Sequence, residues 1–162
     1  MAEIFNIDEA FEIAEQIERN GARFYRKAAA LFEATRAKSL LLDLASMEDR
    51  HEKIFTEMRQ ELKKKAGMED TYIDEEPAQY LKAFAGGYVF PISKDPSEKL
   101  TGNEKLEDIL HFAIEIEKDS IVFYLGIRDV MPEELGRFDI SKIIKEEMRH
   151  ITFLSDLLHK TK

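Results

Sequence analysis

The chain has 162 residues, 44% hydrophobic and 35% charged, which suits one domain over 1–162 with a sizeable core. Its formal net charge of −9 argues against direct binding to nucleic acid or an anionic membrane and suits attraction of small cations. It contains no cysteine, which excludes disulfides, zinc–thiolate sites, iron–sulfur clusters and thiol nucleophiles. No long apolar run is present, and the N-terminal "MAEIFNIDEAFEIAEQ" is acidic and amphipathic rather than signal-like, so a soluble cytoplasmic protein is expected.

Four long segments carry helical periodicity. The first begins near Asn6, where "NIDE" reads as a capping box with Glu9 reaching back, and runs to about Glu33. The second runs from about Ala37 to Ala66 and stops at Gly67. The third follows "TGNE", another capping-box pattern, and runs from about Glu104 to Met131. The fourth opens at "PEE" after Pro132 and runs to about His159. Short turns within each pair favour two antiparallel helix hairpins. Between the pairs, residues 67–103 hold three of the four prolines and four of the seven glycines. This long crossover is expected to contain a short helix in "EEPAQYLKAFAGG", ending at Gly86 and Gly87, and an extended "YVFPISKDP".

The two halves match. A shift of 99 residues places Phe11 on Leu110, Ile17 on Ile116, Glu18 on Glu117, Tyr25 on Tyr124, Glu48 on Glu147, Arg50 on Arg149 and His51 on His150, without a gap. A duplicated two-helix unit predicts a pseudo-two-fold axis through the bundle. In each helix the matched Glu falls on the apolar seam. The seams are Phe11, Ala14, Glu18, Gly21, Tyr25, Ala28 and Phe32, then Leu40, Leu44, Glu48, His51, Phe55, Met58 and Leu62. In the second half they are Leu110, Ala113, Glu117, Ser120, Tyr124, Ile127 and Met131, then Ile140, Ile143, Glu147, His150, Leu154 and Leu157.

Four carboxylates meeting in an apolar core repel one another and would take up protons, and no Lys or Arg occupies the seam beside them. Two divalent cations balance them in formal charge, and two neutral imidazoles complete a mixed oxygen and nitrogen set. That set suits iron or manganese, and zinc less specifically. One Glu from each of two helices plus Glu-x-x-His from each of the other two is the arrangement of di-iron carboxylate bundles. The Glu-x-x-His pairs are those of "MEDRH" at 47–51 and "EEMRH" at 146–150.

These two motifs, the two isolated core Glu and the Tyr seven residues after each isolated Glu resemble the ferritin-like superfamily, and within it the rubrerythrin-like branch. The resemblance implies an all-α, ferritin-like four-helix bundle of two hairpins joined by a crossover. It implies that Glu18, Glu48, His51, Glu117, Glu147 and His150 hold two iron ions. Glu48 and Glu147 would bridge and Glu18 and Glu117 would be terminal. Typical rubrerythrins carry a rubredoxin domain with four Cys, absent here, so a separate electron donor in trans is expected. They also carry an extra Glu one turn from the isolated Glu of the third helix. Here those positions are Ile114 and Ser120, with Glu115 turned from the seam, which argues against a redox-linked iron shift.

Tyr25 and Tyr124 are expected to hydrogen-bond a ligand carboxylate or to act as redox-active phenols near the metals; the plainer reading is core packing. Arg50 and Arg149 are candidates for orienting the histidines through Asp119 or Glu146, or else for solvated ion pairs. His111 and His159 have no repeat partners and are expected on the surface, beside Asp108 and Asp156. "ELKKK" at 61–65 reads as the charged end of a helix. The apolar "YLKAFAGGYVF" is expected to cover the bundle or an adjacent protomer, and a homodimer is the expected state. The expected activity is reaction of the reduced metal pair with hydrogen peroxide or oxygen, as a rubrerythrin-like peroxidase or ferroxidase in oxidative-stress defence. The alternatives are an iron-binding or storage-type module without turnover, and a structural bundle that has lost the metals.

Overall fold

The computed structural model describes residues 6–33, 35–65, 73–85 and 95–161. Five α-helices lie among them: α1 Ile7–Ala29, α2 Arg36–Lys64, α3 Glu75–Ala85, α4 Leu106–Val130 and α5 Arg137–Lys160. The four long ones form the bundle expected from the sequence; α3 belongs to the crossover. No described helix is long and apolar enough to cross a membrane.

Local sequence explains most boundaries. At α1, Asn6 Oδ1 accepts from the Glu9 amide and the Glu9 carboxylate accepts from the Asn6 amide, both at 2.9 Å. Thr35 caps α2, and Lys63 and Lys64 face the negative end of its dipole. The "TGNE" expectation fails: Glu104 folds back on Thr101 and Gly102 in a turn of its own, and α4 begins only at Leu106. The fourth helix also starts later than "PEE". Residues Glu133–Leu135 form a short 3-10 turn, and Gly136, at φ 107°, separates it from α5. That left-handed conformation suits glycine, and a Cβ there would lie 2.6 Å from Met58 Cε.

The order of core residues along each helix gives the topology. One apolar cluster takes Ile7 to Ile17 of α1, Phe55 to Leu62 of α2, Phe123 to Ile127 of α4 and Ile140 to Ile144 of α5. The other takes Phe24 to Ala29, Ala37 to Ala45, Ile109 to Ile116 and Leu154 to Leu158. Each helix therefore crosses from one cluster to the other. Neighbours α1 and α2 run antiparallel, as do α4 and α5, while α4 starts at the end opposite to where α2 stops. The crossover must travel the bundle's length, roughly 35–45 Å for helices of this size. Its described parts sit accordingly: Leu81 and Phe84 of α3 join the first cluster, and Leu100 joins the second. Thus part of "YLKAFAGGYVF" covers its own bundle; Gly86, Gly87 and residues 88–94 of the expected extended "YVFPISKDP" lie outside the described residues, while its last two, Asp95 and Pro96, cap and open a short 3-10 helix, Pro96–Lys99.

The α3–α4 contact depends on Gly126. The Tyr80 hydroxyl donates to the Val122 carbonyl at 2.9 Å, and a Cβ on Gly126 would come within 2.6 Å of the Tyr80 ring. Gly126→Ala gains helix propensity but must push α3 outward, and a net destabilisation of about 1–2 kcal/mol is expected. Thermal unfolding should report it, with metal binding unchanged.

Candidate metal centre

The seam residues point inward as their spacing requires. Of the 27 seam positions named above, only Phe32 and Leu40 are half-buried and the rest are buried. Glu18, Glu48, Glu117 and Glu147 are 0–5% exposed, and His51 and His150 are 1% and 0% exposed. On every long helix the Glu lies between the segments that feed the two apolar clusters. The six side chains therefore form one polar layer between two apolar ones.

Their donor atoms fall into two groups, Glu18, Glu48, His51 and Glu147, and Glu48, Glu117, Glu147 and His150, each within 4.8 Å of one another. Glu48 and Glu147 belong to both. His51 Nδ1 lies 2.8 Å from Glu147 Oε1 and 3.5 Å from Glu18 Oε2. His150 Nδ1 lies 2.8 Å from Glu147 Oε2, 3.1 Å from Glu48 Oε1 and 3.4 Å from Glu117 Oε1. The two imidazoles stack with centroids 5.6 Å apart and planes 16° from parallel.

Close as they are, these atoms meet as ion pairs and not as aligned hydrogen bonds. Among the described residues, Glu18 Oε2, Glu48 Oε1, both Glu147 oxygens and both histidine Nδ1 atoms are buried without a hydrogen-bond partner. Buried polar atoms are nearly always paired, so six orphans aimed at one place mark a site built for something else to bind. Their chemistry, carboxylate oxygen and imidazole nitrogen, fits a pair of divalent metals. Gly21 makes room for this: a Cβ there would lie 3.2 Å from Glu48 Oε2. Its repeat partner Ser120 carries a Cβ and turns its hydroxyl back to the Ile116 carbonyl at 3.0 Å.

Protons fill the charge balance when metals are absent. Burial, and then the charges of Glu147, Glu18 and Glu117, push the Glu48 carboxyl well above its ordinary range. Burial and the Glu147 charge raise Glu117 to about 8, with His150 opposing. Burial also raises Glu147, but His150 and His51 beside it outweigh that and hold it below the usual carboxylate range. For the imidazoles, burial works downward and the neighbouring carboxylates reverse it. Glu147 and Glu18 bring His51 to about 11; Glu117 and Glu147 bring His150 to about 10.

The tyrosines cross between the halves. Tyr25 donates to Glu117 Oε1 and Tyr124 donates to Glu18 Oε1. Each tyrosine thus serves the other half's Glu, not the one on its own helix. Seven residues carry it about 10 Å along the axis, and a helical side chain leans back toward its N-terminus, which returns the hydroxyl to the Glu layer on the facing antiparallel helix. Burial, then the adjacent carboxylate charge, pushes both phenols well above their ordinary value, so they remain donors. Tyr124→Phe is expected to weaken metal retention about 10–100-fold at the position of Glu18 and His51, and Tyr25→Phe likewise at that of Glu117 and His150. Elemental analysis after gel filtration should show the partial loss in each.

The remaining expectations are settled by exposure. Arg50 and Arg149 are exposed and form no ion pair among the described residues, so neither orients a histidine. Glu146 does so directly, its Oε2 lying 2.7 Å from His51 Nε2. His111 is on the surface, but its acidic neighbour is Glu107 at 3.9 Å rather than Asp108; His159 is exposed near the end of α5. Glu115 is exposed and paired with Lys118 at 2.6 Å, away from the site.

No protein-family model and no curated protein matches the chain. Among solved structures it is similar to a protein of Thermotoga maritima described as a candidate ferritin-like diiron-carboxylate protein, with a TM-score of 0.71 and 20% identity over 100% of both chains. The chain adopts the ferritin-like fold, with a buried Glu and His cluster at its centre.

Proposed function

We propose that this chain is a di-iron carboxylate protein whose reduced metal pair consumes hydrogen peroxide or oxygen, as a rubrerythrin-like peroxidase or ferroxidase. The carrying observation is the set of buried, unpartnered carboxylate and imidazole donors in two groups that share Glu48 and Glu147. A bound iron pair would supply the electrons that reduce the oxidant. Glu48 and Glu147, which belong to both groups, would be shared by the two ions; Glu18 with His51, and Glu117 with His150, would complete the two positions. Tyr124 and Tyr25 hold the terminal carboxylates, and the apolar layers above and below limit water. Four carboxylates able to change binding mode suit metals that change charge better than a rigid zinc site does. A reductant other than a rubredoxin-type centre within these 162 residues, which hold no cysteine, would restore the reduced pair.

A second reading, iron binding without turnover, is favoured by one feature. The positions beside Glu117 where an additional ligand would accept a shifted metal are Ile114 and Ser120, and Glu115 faces solvent. Stopped-flow spectra of the reduced, iron-loaded protein separate the readings. Oxidation by peroxide or oxygen that a reductant reverses over many cycles supports the enzyme. A single oxidation that no reductant reverses contradicts it and leaves the binding module.

A further inference from the structure

The two halves of the site match in every donor but differ just outside them. His51 Nε2 lies 2.7 Å from Glu146 Oε2, whereas His150 Nε2 is buried and has no hydrogen-bond partner among the described residues. The 99-residue shift explains the difference: Glu146 immediately precedes Glu147, and the residue immediately before Glu48 is Met47. The matching position thus carries a thioether in place of a carboxylate, and Met47 packs against the apolar cluster that contains Leu154 and Leu157.

For Nδ1 to offer a lone pair to a metal, the ring proton must sit on Nε2. At His51 that N–H finds the Glu146 carboxylate, which fixes the tautomer, orients the ring and makes Nδ1 more basic. At His150 the same N–H is buried and finds no acceptor among the described residues, and an unsatisfied buried donor is costly. Glu146 can play this part without being buried itself. Its side chain is 39% exposed and lines a groove of about 300 Å³ between α2 and α5, together with Glu57, Glu61, Asp139 and Lys142.

On the reading of this centre as a two-metal site, we propose that its two metal positions are inequivalent: Glu146, a positioning residue acting through His51, makes the position of Glu18 and His51 fill before that of Glu117 and His150. Outer partners of metal-bound histidines are worth about 10–100-fold in affinity, so the two binding steps should be separated by roughly that factor.

Calorimetric and optical titration of the metal-free protein with Co²⁺ tests this. Wild type should bind two ions in two resolved steps. Glu146→Met, which copies the other half, should weaken the first step about 10–100-fold and merge it with the second. Glu146→Gln keeps an acceptor oxygen and should restore much of the separation. Met47→Glu should strengthen the second step instead. Two equal steps in wild type, or an equal loss from both steps in Glu146→Met, would overturn the inequivalence while leaving the two-metal reading intact. No cobalt binding by wild type would overturn the two-metal reading itself.

Discussion

Glu147→Ala is expected to abolish binding of both metals, not of one. Glu147 is the member of both donor groups that approaches both histidines, with one oxygen 2.8 Å from each Nδ1. Removing it takes a carboxylate from each position and leaves a gap at the centre of the polar layer. Metal content should fall from two ions per chain to trace. The metal-free fold should suffer as well. Glu147 is the carboxylate held most firmly ionised, and it balances two imidazoles that its neighbourhood keeps protonated. Breaking a buried charge cluster by removing one partner typically costs about 3–5 kcal/mol, which corresponds to roughly 6–20 °C in a protein of this size. Glu147→Gln, which keeps the shape and loses the charge, should show the same metal loss with less damage to packing. His111→Ala is the control: this exposed residue should leave metal content and thermal stability unchanged. Unaltered metal stoichiometry in Glu147→Ala would contradict the placement of the site.

Metal binding is expected to expel protons, and the metal-free protein is expected to lose stability as pH rises. Both follow from the same shifts. His51 at about 11, His150 at about 10 and Glu117 at about 8 all lie above their ordinary values. Near neutral pH each therefore holds a proton that a metal must displace. More than two protons should leave per metal pair, and apparent affinity should climb steeply between pH 6 and pH 8. For folding, the native metal-free state binds more protons than the unfolded chain, so stability falls with rising pH. The contribution of Glu117 is complete below its unfolded value near 4.5 and is lost as pH passes about 8; those of the histidines are complete below about 6.5 and lost through about 10 to 11. Thermal unfolding of the metal-free protein should thus show a melting temperature that declines from pH 6 to pH 10. The metal-loaded protein should show little decline, since the metals replace those protons. With free metal at about a thousand times each dissociation constant, loading should add about 4 kcal/mol per site. A metal-free protein whose stability rose over this range would contradict the charge balance described here.

The central layer was readable in the sequence because burying a carboxylate is costly enough to need a reason. Glu18, Glu48, Glu117 and Glu147 each interrupt an apolar seam, and a single gapless shift relates them; tertiary structure then only had to bring four known faces together. The crossover was readable for a similar reason, since its prolines and glycines forbid a long helix. What escaped depended on geometry that periodicity does not carry. The "TGNE" tetrapeptide has capping-box residues, yet Glu104 closes a separate turn. Gly136 adopts a left-handed conformation that delays α5. The crossing of Tyr25 to Glu117 and Tyr124 to Glu18 required knowing that α1 and α4 run antiparallel. Arg50 and Arg149 match under the repeat yet lie on exposed faces, so repetition alone did not mark function. The room that Gly21 leaves for Glu48 had one available signal, the Gly-to-Ser mismatch between the repeats.

Anomalous scattering at the iron edge, from crystals of protein purified out of iron-supplemented medium, tests the central claim most directly. Two peaks are predicted within the polar layer, both touching Glu48 and Glu147, one also touching Glu18 and His51 and the other Glu117 and His150. A layer without anomalous signal, in a chain whose six donors are in place, would contradict the account.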